Sequence, residues 1–457
     1  MGFLLNFFKS APHLPEMVDS EQIKVQYRYW RIRVMYSIFI GYAFYYLTRK
    51  SFSVVMPGIM QELHLDKSQL GIMATVLSLT YGLSKFFSGV ISDQSNPRYF
   101  MAIGLILTGI FNIFVGMSSS LWFFAVFWGL NGLFQGFGWP PCVKLLSHWY
   151  SHSERGSWWS SWAVSQNVGG FLTPWVVGLC LSYFGWRYAM FIPGMVCIVM
   201  GFILINRLVD VPRSLGLPTV EKFRNDYIDD KKTDDDEVQL TSKQRMLSVL
   251  KNKYIWILAI AYFFIYFIRT GLEWTTLFMV ESKGYSVLVA SGLTSLIDAG
   301  GFLGMLSAGW LSDRLFKARR GPINVLFAML LFLAVGTFWL FAGHYSWLDS
   351  CLIFMIGFSI FGPQMLIGVA VAELAHKNAT ATATGLAGWV AYVGSATAGF
   401  PLGKIIDIFG WEGFFISMGI SAMASVVLLL PLWGVTRASL AQVTKDEEVL
   451  EPASTAN

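Results

Sequence analysis

The chain is predicted to be an all-α membrane protein of twelve transmembrane helices, set in two pseudo-symmetric six-helix bundles. Three observations predict it. First, 55% of its 457 residues are apolar and only 13% are charged, against about 25% charged in soluble proteins. Second, apolar runs of roughly 20 residues, the length that crosses a bilayer core, begin near Val34, Leu70, Tyr99, Leu121, Trp158, Tyr188, Tyr254, Val287, Ile323, Trp347, Ala379 and Gly413. These runs are continuous and interrupted by Gly, Pro, Ser and Thr, as packed membrane helices are, and lack the short alternating segments of barrel strands. Third, the sequence repeats itself: Tyr46-Leu-Thr-Arg49 returns as Tyr266-Phe-Ile-Arg269 and Gly89-Val-Ile-Ser-Asp93 as Gly309-Trp-Leu-Ser-Asp313, each 220 residues on, and Phe184-Gly-Trp186 returns as Phe409-Gly-Trp411 at 225. One six-span unit has been duplicated.

In chain order the elements are an amino-terminal segment (1–33), a first bundle (34–209), a linker (210–253), a second bundle (254–435) and a tail (436–457). The first segment holds Lys24, Arg28, Arg31 and Arg33. Its short apolar stretch, Phe3 to Phe8, has no basic region before it and no small-residue cleavage site, so no signal peptide is expected, and Asn6 stands where a myristoylation signal needs Ser or Thr. The short connections after spans 2, 4, 8 and 10 carry Arg98, Lys144, Arg155, Arg314, Lys317, Arg319, Arg320 and Lys377, whereas the opposite ones carry only Lys67, Arg187, Lys283 and Lys404. By the positive-inside rule both termini are expected in the cytoplasm. The linker holds nine of the 28 acidic residues, including Asp234 to Glu237, and reads as a solvated, flexible tether; the tail is polar as well. Cys142, Cys180, Cys197 and Cys351 lie in or beside apolar runs without metal spacing and read as packing residues.

The chemistry is expected at the charges that the spans carry inside. At 1.5 Å per residue, Arg49 lies ~24 Å into span 1 and Arg269 ~22 Å into span 7. A guanidinium stays charged, and at the bilayer centre costs ~2.5–3.5 kcal/mol, so two at matched depths call for an anion. Snorkelling or a permanent helical partner explains one such residue more easily than two, each with a tyrosine one turn earlier. Halves facing each other across a pseudo-twofold axis would bring both to one central cavity. A phosphate monoester carries about −1.5 to −2 charge, and planar guanidinium groups hold its oxygens in pairs, which lysine does not. An empty site would leave two like charges in a low dielectric, so one-for-one exchange against inorganic phosphate is the natural mode.

Around the arginines stand Lys50, Lys85, Glu273 and Asp298, read as ion pairs between the halves that compete with the ligand, or as fixed bridges. Tyr42, Tyr46, Tyr81, Trp139, Gln166, Asn167, Tyr266 and Tyr392 offer hydroxyl, amide and ring contacts for a sugar, or are ordinary helix packing. Gly89, Asp93 and Arg98, with Gly309, Asp313 and Arg314, read as a cytoplasmic gate in which small residues let helices approach and polar contacts lock them. No GxxxxGK[ST] loop, metal spacing or nucleophile constellation occurs, so neither an enzyme nor a cofactor or metal is expected, and nothing implies nucleic acid. Small organophosphates, inorganic phosphate and the bilayer are the expected partners of a monomer.

At these residues the chain resembles the major facilitator superfamily and, within it, the organophosphate:phosphate antiporters, which include bacterial glycerol-3-phosphate and hexose-phosphate carriers and the reticulum glucose-6-phosphate translocase. The resemblance runs from about Arg28 to Leu432. It is carried by Tyr46-Leu-Thr-Arg49-Lys50, Ser84-Lys85-Phe86, Ser92-Asp93 with Asn96-Pro97-Arg98, Gly138-Trp-Pro-Pro-Cys142, Glu154-Arg155-Gly156, Asn167-Val-Gly-Gly170 and Phe361-Gly-Pro363. It implies the major facilitator fold, substrate arginines at Arg49 and Arg269, substrate tyrosines at Tyr42, Tyr46 and Tyr266, and a lysine at Lys85. Bacterial carriers usually have His where this chain has Gln166, which removes a titratable group. Arg28-Tyr-Trp-Arg31, Thr48-Arg-Lys-Ser-Phe52 and Phe361-Gly-Pro-Gln-Met-Leu366 are most similar to the hexose-phosphate transporter and sensor branch. The resemblance therefore implies a carrier in a bacterial inner membrane exchanging a hexose phosphate, glucose 6-phosphate first among them, for inorganic phosphate. The alternatives are a sensor signalling to a membrane histidine kinase, an antiporter of another organophosphate such as glycerol 3-phosphate, and a proton-coupled sugar symporter.

Overall fold

A computed structural model describes residues 12–226, 242–317, 319–375 and 379–435, and among these every regular element is a helix. The elements are α1 (Ser20–Leu63), α2 (Lys67–Gln94), α3 (Pro97–Met117), α4 (Leu121–Gln135), α5 (Trp139–Trp149), α6 (His152–Phe184) and α7 (Trp186–Arg207), then a short α8 (Val220–Arg224) and α9 (Ser242–Lys251). The second repeat follows as α10 (Lys253–Gly271), α11 (Thr275–Glu281), α12 (Val287–Arg314), α13 (Arg320–Phe341), α14 (Ser346–Leu374), α15 (Thr380–Thr397) and α16 (Phe400–Leu429). Nine stretches of described residues are long and apolar enough to cross a bilayer, the last running through Thr382–Leu432 as one. The expected first span is α1, which carries Arg49 and Lys50 within it, and the fourth is shared by α4 and α5.

Local chemistry sets the breaks. Asp19 caps α1 by accepting from the Glu21 and Gln22 amides, and Asp66 with Gln69 forms a capping box on α2. Asn96 caps α3, whose first residue is Pro97. The fourth span breaks at Gly136 to Gly138 because Pro140 and Pro141 lack the amides that a continuous helix would need and so occupy the first turn of α5. Phe184-Gly-Trp186 and Phe409-Gly-Trp411 behave alike: Gly185 has φ 84° and Gly410 φ 67°, a left-handed joint between two spans each time.

The described residues form two compact units. The first is built from the described residues within Met1–Glu237, Glu273–Asp298 and Gly399–Asp407. In it α1 packs on α6 and α7, α3 on α7 and α2 on α4, around Tyr45, Trp149, Trp162 and Ile38. The second comprises the described residues within Val238–Leu272, Ala299–Ala398 and Ile408–Asn457, with α10 on α15 and α14, and α13 on α14. The duplication is visible inside each unit as the same helix crossing. An added Cβ at Gly169 would stand 2.5 Å from the Ala43 carbonyl oxygen, and one at Gly394 would collide with the Phe263 carbonyl. Those pairs stand at the 220 and 225 offsets of the sequence repeat. Each arginine lies six residues beyond its crossing.

The linker departs from the tether expected. Residues 210–226 fold onto the first unit because Leu217, Val220 and Phe223 supply apolar surface that a purely solvated segment lacks. Phe223 stacks on Tyr27 at 4.0 Å, the Tyr27 hydroxyl donates to Pro218 O, and Glu154 takes Arg31 at 2.5 Å and Arg224 at 3.0 Å. Burial pushes the Tyr27 phenol above its ordinary value, so it remains a donor. The acidic run Asp234 to Glu237, the expected tail and Lys377 lie outside the described residues.

Candidate functional site

In the first unit the site is built on α1, where Tyr42, Tyr46 and Arg49 recur at i, i+4 and i+7 on one face. The rotation of that helix is fixed from behind. Gln135 Nε2 donates to Thr48 Oγ1 (3.1 Å), Asn131 Nδ2 to Thr48 O (3.3 Å), and Ser51 Oγ to Asn112 Oδ1 (2.9 Å). With Thr48 and Ser51 tied into a buried polar network, Arg49 is turned to the other side. Its guanidinium carbon lies 4.0 Å from the Tyr81 ring centroid and 5.2 Å from that of Tyr46, positions in which aromatic faces stabilise a cation away from bulk water. The Tyr46 hydroxyl donates to Gln166 Oε1 at 3.4 Å. Lys85 is exposed, its ammonium 5.6 Å from the Tyr81 ring and 5.9 Å from Trp139. Trp139 in turn packs on Tyr42 at 5.9 Å. Tyr42, Tyr46, Tyr81, Trp139, Gln166, Arg49 and Lys85 are therefore brought together.

Next to Arg49, Lys50 forms a buried ion pair with Asp298. Gly170 leaves the room that this carboxylate occupies, and Asn167 Nδ2 donates to the Asp298 carbonyl at 3.2 Å. Asn167 thus holds α12 rather than joining the tyrosines. Glu273, half-buried in the 3-10 turn Leu272–Trp274, belongs to the same unit.

In the second unit the repeat-mates of the α1 residues stand on α10. The Arg269 guanidinium carbon lies 4.7 Å from the Phe361 ring centroid. Tyr266 contacts Tyr392 at 5.5 Å and Tyr262 at 4.8 Å, and the Tyr262 hydroxyl donates to Gln364 O at 2.9 Å. The Thr270 and Ser395 hydroxyls share a hydrogen bond of 2.6 Å that ties α10 to α15 from behind, as Thr48 and Ser51 tie α1.

The expected gate is more varied. Asp313 pairs with Arg320 at 2.6 Å, and Arg320 also reaches Ser312 and Glu373; Arg314 is exposed at the end of α12. Arg98 donates to the Ile205 carbonyl and lies over Tyr99 at 5.2 Å. The Asp93 side chain lies outside those described. A Cβ added at Gly89 would meet nothing described within 4 Å, and one at Gly309 only Met365 at 3.6 Å, so close helix approach is not what these glycines provide in this arrangement. Lys144, counted above with a loop, sits within α5 and donates to Ser95 O at 2.7 Å.

Three features were missed in the sequence. Tyr262 stands 220 residues after Tyr42, so the repeat itself could have found it. Trp159, against Trp139 at 6.1 Å, carried no repeat or charge to mark it. Near the end of α1 remote from the amino terminus, Asp407 accepts from the Lys67 and Ser68 amides (3.1 and 2.7 Å), Lys67 pairs with Glu281 (2.8 Å) and Thr75 Oγ1 accepts from the Phe400 amide (2.8 Å). No local pattern announces that set.

Chemically, each unit sets an arginine of the repeated motif against aromatic rings and beside tyrosines, a grouping of cation, hydroxyl and ring surface. Residues 38–399 match the sequence profile of the Major Facilitator Superfamily. The chain is similar to the probable hexose phosphate transport protein of Chlamydia pneumoniae, 51% identical over 447 residues, which cover 95% of this chain and 98% of the relative. It is also similar to the membrane sensor protein UhpC of Escherichia coli (strain K12), 45% identical over 430 residues, with 94% and 98% covered. Among solved structures, the crystal structure of a bacterial homolog to the human lysosomal transporter Spinster, inward-facing and unoccupied, is 17% identical with a TM-score of 0.67, covering 88% of this chain and 95% of that one. That likeness bears on the fold.

Proposed function

This chain belongs to the major facilitator superfamily, and from that premise we propose that it is a secondary active transporter that exchanges a hexose phosphate, glucose 6-phosphate first among them, for inorganic phosphate by alternating access. It is not an enzyme on this reading. It works in a bacterial inner membrane with both termini in the cytoplasm, and its halves, 34–209 and 254–435, are the moving bundles.

The observation that carries the proposal is the equivalence of Arg49 and Arg269. Each sits six residues past the same glycine crossing of its repeat, on an aromatic face, with a tyrosine one turn before. Two guanidinium groups match the charge and oxygen geometry of one phosphate dianion. Tyr42, Tyr46, Tyr81, Trp139, Gln166, Tyr266 and Tyr392 would then read the sugar, and Lys50 with Asp298 would release or hold one end of the site as loading changes the local charge. Because an empty pair of like charges resists burial, the return stroke needs phosphate in the sugar phosphate's place. The name of the Chlamydia relative supports a hexose phosphate as the substrate.

Vesicles holding the reconstituted chain and preloaded with phosphate should accumulate labelled glucose 6-phosphate, and Arg49→Lys or Arg269→Lys should slow this at least ~30-fold, the cost of losing one desolvated charge contact. Uptake that is equally fast without internal phosphate contradicts exchange. A greater preference for glycerol 3-phosphate in competition would shift the substrate but not the mechanism. A second reading, a hexose-phosphate sensor acting on a membrane histidine kinase, is favoured by the 45% identity to a sensor protein. It requires binding of glucose 6-phosphate with little exchange, and capture of such a kinase.

A further inference from the structure

Beside the arginine and tyrosines of the first unit lies a group of rings of which the proposed function uses only Trp139. Trp139, Trp159 and Trp162 form a triad: Trp139 meets Trp162 at 4.8 Å, Trp159 meets Trp139 at 6.1 Å with planes at 73°, and Trp159 meets Trp162 at 5.9 Å with planes at 86°. Trp162 is fully buried and packs on Tyr42 at 5.1 Å. Trp139 and Trp159 are half-exposed, so the buried ring props up two others that keep part of their surface accessible. Large rings held rigid at right angles and left partly bare bury apolar ligand surface at little cost in side-chain ordering.

Their position along the helices follows from α6. Trp159 precedes Gln166 by seven residues, which places both on one face about 10 Å apart along the axis. Gln166 is tied to Tyr46, one turn from Arg49. The same offset appears on α1, where Tyr42, the neighbour of Trp139, precedes Arg49 by seven residues. On both helices the tryptophan corner therefore lies toward the amino terminus from the guanidinium, two turns before Gln166 on α6 and, at Tyr42, two turns before Arg49 on α1. An anion held at Arg49 with a six-membered sugar ring attached spans that interval; a three-carbon chain falls short of it. The flat C–H face of a pyranose suits indole, and the Lys85 ammonium lies 5.9 Å from Trp139, within reach of its hydroxyls.

Resting on the hexose phosphate reading above, we propose that Trp159 is a specificity-determining residue: with Trp139 it forms the corner that seats the sugar ring and so favours hexose phosphates over phosphate esters with short chains.

The test compares two activities of the reconstituted full chain, phosphate self-exchange and glucose 6-phosphate:phosphate exchange. Trp159→Leu, which keeps apolar bulk but loses the planar face, should raise KM for glucose 6-phosphate on the order of tenfold and leave phosphate self-exchange within about twofold; Trp159→Phe should restore most of the loss. An unchanged KM, or an equal loss of both activities that Trp159→Phe does not repair, overturns the proposal. Independently of transport rates, a thiol introduced by Trp159→Cys should be shielded from a water-soluble alkylating reagent by glucose 6-phosphate and not by phosphate, with the native chain as the background for Cys351. Equal labelling with both ligands overturns it too. If the native chain exchanges phosphate but never glucose 6-phosphate, the proposed function fails along with this inference; if it exchanges both and Trp159→Leu changes nothing, only the inference fails.

Discussion

Gln166 shows how much one side chain decides. Its amide oxygen accepts from the Tyr46 hydroxyl beside Arg49, and unlike a histidine it has no proton to lose near neutrality. Gln166→His places a group of ordinary pKa ≈ 6.5 beside that cation. Below its pKa the imidazolium adds a further positive charge and should tighten phosphate; as pH rises the gain should vanish. The ratio of variant to native phosphate affinity, measured between about pH 5.5 and 7.5, should therefore fall with pH; a constant ratio contradicts the placement of Gln166 at the site. At this scale the sequence was most informative where charge meets hydrocarbon: Arg49, Arg269, Lys50 and Asp298 are conspicuous because each is expensive there. Tyr262 and Trp159 were not, since an aromatic residue in a membrane span is unremarked until its neighbours are known.

For the helices, the informative residues are glycines whose purpose only packing reveals. Gly169 and Gly394 let α6 lie on α1 and α15 on α10, and these crossings hold the arginine-bearing helices in equivalent places within their own units. Gly169→Ala and Gly394→Ala force a methyl group against a backbone carbonyl, an overpacking that typically costs ~1–3 kcal/mol. Each should lower the thermal denaturation midpoint of the solubilised protein and slow exchange. Gly419→Ala, where an added Cβ meets nothing described within 4 Å, should leave both unchanged. Similar effects at all three positions would contradict the crossings. The starts of several helices were legible from hydropathy, as at Leu121 and Val287, and the Gly185 and Gly410 joints were foreshadowed by the repeated Phe-Gly-Trp. The docking of residues 210–226 was not, because polarity dominates the segment and the few apolar residues that fold it are recognisable only beside Tyr27 and Trp149.

For the molecule as a whole, the duplication is imperfect in a way that bears on stability. The repeat-mate of Lys50 is Thr270 and that of Asp298 is Ser78, so one combination of positions carries a buried ion pair and the reciprocal one is neutral. Lys50→Met strands a buried carboxylate without its lysine and should destabilise by ~3–5 kcal/mol, whereas Lys50→Met with Asp298→Asn should recover a large part of the loss. Thermal denaturation of the two variants checks this; a double variant no more stable than the single one contradicts it. Contacts such as Asp407 on the α2 amides join residues 340 positions apart, beyond the reach of any periodicity, while the two-repeat plan was open to view in the offsets alone. If one arginine from each repeat serves a single phosphate, calorimetric titration of inorganic phosphate into the purified protein shows it most directly. The native chain should bind one phosphate, and Arg49→Lys and Arg269→Lys should each abolish measurable binding; a variant of either kind that binds phosphate as tightly as the native chain contradicts the account.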